Sequence, residues 1–423
     1  MGRPWALLLL AAIAPAHARL PAQAPPLPPP GAGYTIVNVS TAQQLADACW
    51  NLASNRAIVV APGTYDLATV VFPNGVDGRL TIGRFGAAPI SNIQVRGATG
   101  NPADVVIRGA GMLNNVVPFG MQLFTATDVT IADLTLGNVY YHAVMEQGDQ
   151  GAQRVRLYHV RLFDTGQQIV KGTTNADDVT IEYSELYYTT SAPNHPEGSP
   201  PGSCYTNAVD GFGVDRWIVR DSLMRNIRCQ DGTLAGPAIL LWAGASASLV
   251  ERNTIVDSSR GIALGLTGPT DHAGGIARNN FIRWASSGSY AVDVPIYTTS
   301  PNAQLLHNTA LASGRYPNAI EVRFAGATNV AVRGNLTDAA IAPRDGAVPV
   351  LAGNRTNAQA GWFVDPASGN LHLAAAGSSA VDQLTAATTD DFDGEPRSLA
   401  ANAADQGADE LGPADLLLRD GFE

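Results

Sequence analysis

Leu249-Val250-Glu251-Arg252-Asn253-Thr254-Ile255-Val256 returns as Ile276-Ala277-Arg278-Asn279-Asn280-Phe281-Ile282, as Leu305-Leu306-His307-Asn308-Thr309-Ala310 and as Ala331-Val332-Arg333-Gly334-Asn335-Leu336-Thr337. The asparagines fall at steps of 27, 28 and 27 residues. Self-similarity at that period marks a repeat architecture whose units bury their faces only against neighbouring units. A helical solenoid would place apolar residues at i, i+3 and i+4 over ten or more positions, and that pattern is absent. Each unit instead holds short β-branched runs split by Asn, Asp, Ser and Gly. One unit is therefore one turn of a coil of parallel strands. Asparagine side chains stacked at its corners can satisfy the amides of adjacent turns. The expected fold is all-β, a right-handed parallel β-helix.

The register extends upstream. Val129-Thr130-Ile131, Val155-Arg156-Leu157, Val179-Thr180-Ile181 and Trp217-Ile218-Val219 fill the slot of Leu249-Val250, with Ser184 and Ser222 at the corner in place of Asn. One turn carries a long excursion, Thr189 to Tyr205. A third strand closes each unit: Ala143 to Glu146, Gln168 to Lys171, Ala208 to Asp210, Ala238 to Trp242, Gly261 to Leu264, Ala291 to Val294 and Ala319 to Arg323. The coil is expected over residues 34–376, led by a helix over 42–53 that Ser40-Thr41 would cap and that would cover the open edge of the first turn. Cys49, on the apolar face of that helix, reads as a core residue.

The 423 residues carry a net charge of −11, which gives no basic footprint for nucleic acid. Residues 1–18 read as a secretory signal: Arg3, an apolar stretch from Ala6 to Ala14, then Ala16-His17-Ala18 as a cleavage site. Nothing later is long enough to span a bilayer. Residues 19–33, with Pro28-Pro29-Pro30, read as an extended linker. These features place the mature chain outside the cell or on its surface, as a monomer. In that oxidising setting Cys204, which closes the excursion, and Cys229, in the matching loop one turn later, are expected to form a disulfide.

Residues 377–423 differ in character. Asp390-Asp391-Phe392-Asp393-Gly394-Glu395-Pro396-Arg397 and Asp405-Gln406-Gly407-Ala408-Asp409-Glu410 resemble a module found behind secreted bacterial β-helices, the choice-of-anchor type. Leu418 to Glu423 is similar to short carboxy-terminal motifs on exported proteins of some Gram-negative bacteria. Asp391, Asp393 and Glu395 lack a full EF-loop spacing and read as a solvated acidic turn.

A parallel β-helix presents one long face of third strands, so functional residues are sought in the columns along it. Aligning the turns on their apolar residues puts Glu146 opposite Lys171, the only lysine of the chain, about 5 Å apart by strand spacing. Asp210, Trp242, Asp293, Glu321 and Arg323 lie alongside, with Tyr141, His142 and Gln167 just before their strands. The excursion would overhang this region as a rim. The pattern resembles the polysaccharide lyases and uronate epimerases of the pectate lyase and chondroitinase B-like superfamily, over roughly residues 40–376. That resemblance implies a base that removes the proton α to a uronate carboxylate, and a cation that neutralises the carboxylate. On this reading Lys171, Glu146, Asp210 and His142 are the catalytic candidates. Tyr141, Gln167, Trp242, Arg260 and Arg323 are candidates for holding substrate, and Glu146 with Asp210 for holding Ca²⁺. The turn after Lys171 offers Asp210 where those lyases place an arginine.

The bland alternatives stay open at this point. Glu146–Lys171 reads equally as a salt bridge between turns. His272 reads as a loop residue, and His159 and His307 as ladder residues. The partner implied is a polysaccharide substrate or a cell-surface glycan, taken by a lyase or epimerase, by a glycoside hydrolase on the same fold, or by a non-catalytic adhesion protein.

Overall fold

A computed structural model describes residues 23–73, 78–285 and 287–411. The expected signal sequence over residues 1–18 and the expected Leu418–Glu423 motif lie outside them. Three long sheets run the length of the chain, one of 12 strands and two of 10, with each turn giving one strand to each sheet. Every pairing within them is parallel, as at Val144–Val170–Val209–Ile239–Ile262–Ile296–Ile320. This is the right-handed parallel β-helix. Its interior is a single apolar column in which Ile131, Leu157, Ile181, Val219 and Val250 are sealed from solvent.

The asparagine ladder forms as the repeat requires. Asn280 Oδ1 accepts from the Asn253 amide at 3.0 Å, and Asn308 and Asn335 continue the same bond at 3.2 and 2.9 Å. Each Nδ2 also donates to a carbonyl of the preceding turn, Val219, Val250 or Ala277. Ser222 and Ser184 carry the ladder upstream through their hydroxyls, and Asn354 ends it downstream. The residue before each ladder position turns the corner with positive φ: His159, Tyr183, Asp221, Arg252, Asn279, His307 and Gly334. A left-handed residue at a fixed place in every turn aims the next side chain into the stack.

The helix spans Ala42–Trp50, with Thr41 accepting from the Gln44 amide at 3.2 Å and Leu45, Ala46 and Cys49 buried against the first turns. Among the described residues, no helix is long and apolar enough to cross a membrane. The segment expected to be a linker is fixed to the coil in part. Arg96 donates to the carbonyls of Leu27 and Pro28, and Tyr158 to that of Pro25.

The last parallel strand is Val350–Ala352, short of the expected boundary near 376. Residues beyond it fold back across the coil, where Phe363, Leu373 and Phe392 pack on Phe281, Leu311 and Leu336. Arg252 and Arg278 both bind Asp390, clamping that segment down. His307, expected in the ladder, instead accepts from the Ala387 amide of this segment at 3.0 Å. One strand assignment fails: Ala291–Val294 is not a strand, and the turn is closed by Ile296–Thr298 after Pro295.

Candidate functional site

The strand Val209–Phe212 follows Val170–Gly172 and precedes Pro237–Trp242 in one sheet. Their register stacks Met145, Lys171, Asp210 and Leu240 in one outward column and Glu146, Gly172, Gly211 and Leu241 in the next. Lys171 therefore pairs with Met145, not with Glu146. The second column faces the interior, since a Cβ on Gly172 or on Gly211 would meet the buried Trp217 ring. Glu146 is inside the coil, fully buried, with neither carboxylate oxygen hydrogen-bonded. Burial alone pushes its carboxyl up to about 8.

Glu146 and Asp210 thus lie on opposite faces of the sheet and cannot share an ion. The expected Ca²⁺ pair is corrected on that ground, and so is the Glu146–Lys171 bridge. The donor set at Asp210 does not suit a cation either. One oxygen accepts from Lys171 Nζ at 2.6 Å and the other from Trp242 Nε1 at 2.9 Å. Among the described residues, the group whose ligand atoms gather within 4.8 Å is His372, Asp393 and Asp409, on the folded-back segment. Asp391 there spends one oxygen on the amides of Asp393 and Glu395, as a turn-stabilising residue does.

Lys171 is the charged centre of the outward face. Its side chain is 15% exposed and Asp210 is 1% exposed, so the pair is shielded from water. The Phe212 ring lies 5.4 Å from Nζ and meets Trp242 edge-on at 5.3 Å. Beside this pair is a cavity of about 320 Å³. Asp210, Leu240 and Trp242 form its floor and Arg260 part of its wall. Tyr205 and Asn207 enter where the excursion rejoins the sheet. Arg260 Nε is buried without a hydrogen bond, 3.5 Å from Asp293 Oδ2. Burial, and then the nearby Asp210 carboxylate, hold the Tyr205 hydroxyl above its ordinary range.

The excursion is pinned over this face as expected. The Cys204–Cys229 disulfide closes it, with Cα atoms 5.8 Å apart. Gln167 donates to the Glu197 carbonyl at 2.7 Å, and both Tyr140 and Tyr141 hydroxyls bind the Glu197 carboxylate. Tyr141 and Gln167 are thus engaged in anchoring the rim and do not border the cavity. His142 is buried, bonded through Nδ1 to the Gln168 carbonyl, and desolvation lowers it to about 3, so its ring is neutral. Arg323 lies farther along the groove, bound to Glu321 at 2.6 Å and stacked on Tyr297. His272 bridges the hydroxyls of Ser248 and Ser300, the loop role expected of it. Tyr205 and Phe212 were missed as site residues. Tyr205 sits at the end of a loop of no regular period. Phe212 lies two places after Asp210, where strand alternation returns a side chain to the same face.

No family model matches the chain, and no curated protein matches it. Among solved structures, an alginate lyase from Paenibacillus sp. str. FPU-7 aligns at 16% identity over 76% of this chain and 95% of its own, with TM-score 0.41. The pectate lyase Pel9A aligns at 13% identity over 90% and 97%, with TM-score 0.46. The Dettilon tailspike protein aligns at 12% over 74% and 60%, with TM-score 0.40.

Proposed function

We propose that this chain is an exported, monomeric enzyme that cleaves or epimerises an acidic polysaccharide in the cavity beneath the excursion. One observation carries the reading. Asp210, whose buried carboxylate holds the Lys171 ammonium beside the cavity, borders about 320 Å³ together with the Arg260 guanidinium, the Tyr205 phenol and the Trp242 indole, at the low end of small-ligand pockets. A uronate's α-proton is too weakly acidic to remove until positive charge sits beside its carboxylate. Arg260 and Lys171 supply that charge in a site shielded from water, where it acts most strongly.

Lys171 Nζ donates to Asp210 at 2.6 Å, so its role here is that of the cation and not of the base assigned from sequence. Asp210, with both oxygens occupied, positions Lys171. Tyr205, whose hydroxyl burial holds above its ordinary range, is the proton-transfer group: in one concerted elimination its hydroxyl gives its proton to the leaving glycosidic oxygen while the same phenolic oxygen takes the α-proton, which leaves the phenol restored. Trp242 offers an aromatic face to the sugar ring. A glycoside hydrolase would need two carboxyl groups across the bond, and Asp210 is the one acid bordering the cavity among the described residues.

The test is turnover of a panel of uronate polymers, followed by the absorbance of unsaturated uronate and by change in uronate composition. The wild type should act on at least one polymer. Lys171→Met and Tyr205→Phe should each lose about 100-fold or more in kcat. Inertness towards every polymer, with binding retained, would replace the enzyme by a glycan-binding surface.

A further inference from the structure

On the other side of the disulfide from the cavity, loops of three turns meet. They are Thr190–Ser191 at the start of the excursion, Arg228–Gly232, and Ser287–Tyr290. They are laced together: the Gln230 amide donates to the Ala192 carbonyl, and that of Ala291 to the Gly232 carbonyl, both at 2.8 Å. Between them lies a pocket of about 260 Å³, bordered by Thr190, Ser191, Arg228, Ser287, Ser289 and Tyr290 with no carboxylate among its lining residues. In a chain of net charge −11 that is an unusual composition.

Two guanidinium groups lie over the same ring, Arg228 at 4.8 Å and Arg315 at 4.3 Å from the Tyr290 centroid. Arginines elsewhere on the coil, such as Arg154, Arg216 and Arg252, hold carboxylates. Among the described residues neither Arg228 nor Arg315 has one within 4 Å. Arg228 spends Nε on the Thr190 carbonyl. Tyr290 is 7% exposed, its hydroxyl lies against the Arg315 guanidinium, and Arg315 Nη2 donates to the Tyr290 carbonyl, which fixes the ring under Arg228. A lining arginine without a carboxylate and a rim of hydroxyls together form a site short of one negative ligand.

We propose that this pocket binds an oxyanion borne by a sugar, a carboxylate or a sulfate ester, and so is a second glycan contact separate from the cavity. Its volume falls below the roughly 300–1,000 Å³ of drug-sized sites, which limits the occupant to one sugar unit or less. The arginine gives bidentate recognition of the oxyanion, the exposed hydroxyls contact the ring, and no carboxylate lines the pocket.

Calorimetric titration of the full chain with glucuronate, glucose 6-sulfate, inorganic sulfate and glucose tests this without any turnover. It therefore stands or falls separately from the reading of the cavity. Glucuronate or glucose 6-sulfate should bind and glucose should not, and Arg228→Gln should weaken binding about tenfold or more. Tyr290→Phe, which keeps the ring and removes the hydroxyl, should weaken it less. Trp242→Ala removes any glucuronate binding at the cavity, and the component that remains should still be lost on Arg228→Gln. Binding of inorganic sulfate alone would overturn the glycan assignment. So would sugar binding indifferent to Arg228→Gln in a variant with unchanged circular dichroism, or no binding of any probe.

Discussion

Glu146 is the side chain whose placement makes the sharpest energetic demand, and replacing it with glutamine measures that demand. Its carboxyl is fully buried without a partner, and its value rises from 4.5 to about 8. Below about pH 4.5 the folded and unfolded chains both hold the proton, and the group does not alter stability with pH. Above that, the unfolded chain ionises while the folded chain keeps its proton until about 8, so stability falls throughout that window. At roughly 1.4 kcal/mol per pH unit the loss reaches about 3 kcal/mol at pH 7, against less than about 1 kcal/mol at pH 5. Glu146→Gln keeps the shape and removes the titration. Guanidinium unfolding at pH 5 and pH 7 should therefore show the variant gaining about 2–3 kcal/mol on the wild type between the two. A constant offset at both pH values would refute the interior placement of a neutral carboxyl and restore Glu146 to the outer face.

Asn280→Ala should cost about 2–6 kcal/mol, because the backbone amide and one side-chain N–H of Asn253 both lose their acceptor in a buried stack. Asn354→Ala, at the partly exposed end of the ladder, should cost less in the same denaturation experiment. Cys204→Ser should cost about 3.5 kcal/mol from the loop-entropy relation for a separation of 25 residues, seen as a lower unfolding midpoint. It should also lower kcat and raise KM together, since it frees the rim and with it Tyr205, the residue after Cys204, while Lys171 and Asp210 stay in place. Trp242→Phe should lower kcat about tenfold or more while substrate binding persists, because it keeps a ring and removes the donor that fixes Asp210.

The repeat was legible because the ladder is a chemical requirement: a buried corner amide needs the same acceptor in every turn. The disulfide followed from two cysteines flanking one irregular loop in successive turns. The register at Lys171 was not legible. Ile169 and Val170 are both buried, so hydropathy does not say which of them begins the alternation. Gly172, which faces inward, carries no apolar side chain to mark its column, because the Trp217 indole fills the space instead. That one-residue slip carried Glu146 to the wrong face, as a slip in any strand must. Ala291–Val294 misled for a related reason. Its alternation suits a strand, but Pro295 follows it, and the ladder resumes at Ile296 in register with Ile262. Tyr205 approaches Asp210 through a loop closure that no spacing encodes.

On the proposed function, an acidic polysaccharide is bound and transformed in the cavity between Tyr205 and Trp242. A crystal structure of Tyr205→Phe soaked with a uronate oligosaccharide tests it most directly. One sugar ring should lie against Trp242, with its carboxylate on Arg260 and Lys171 and its cleavable oxygen beside position 205. An oligosaccharide seated elsewhere along the sheet, with this cavity empty, would contradict the account.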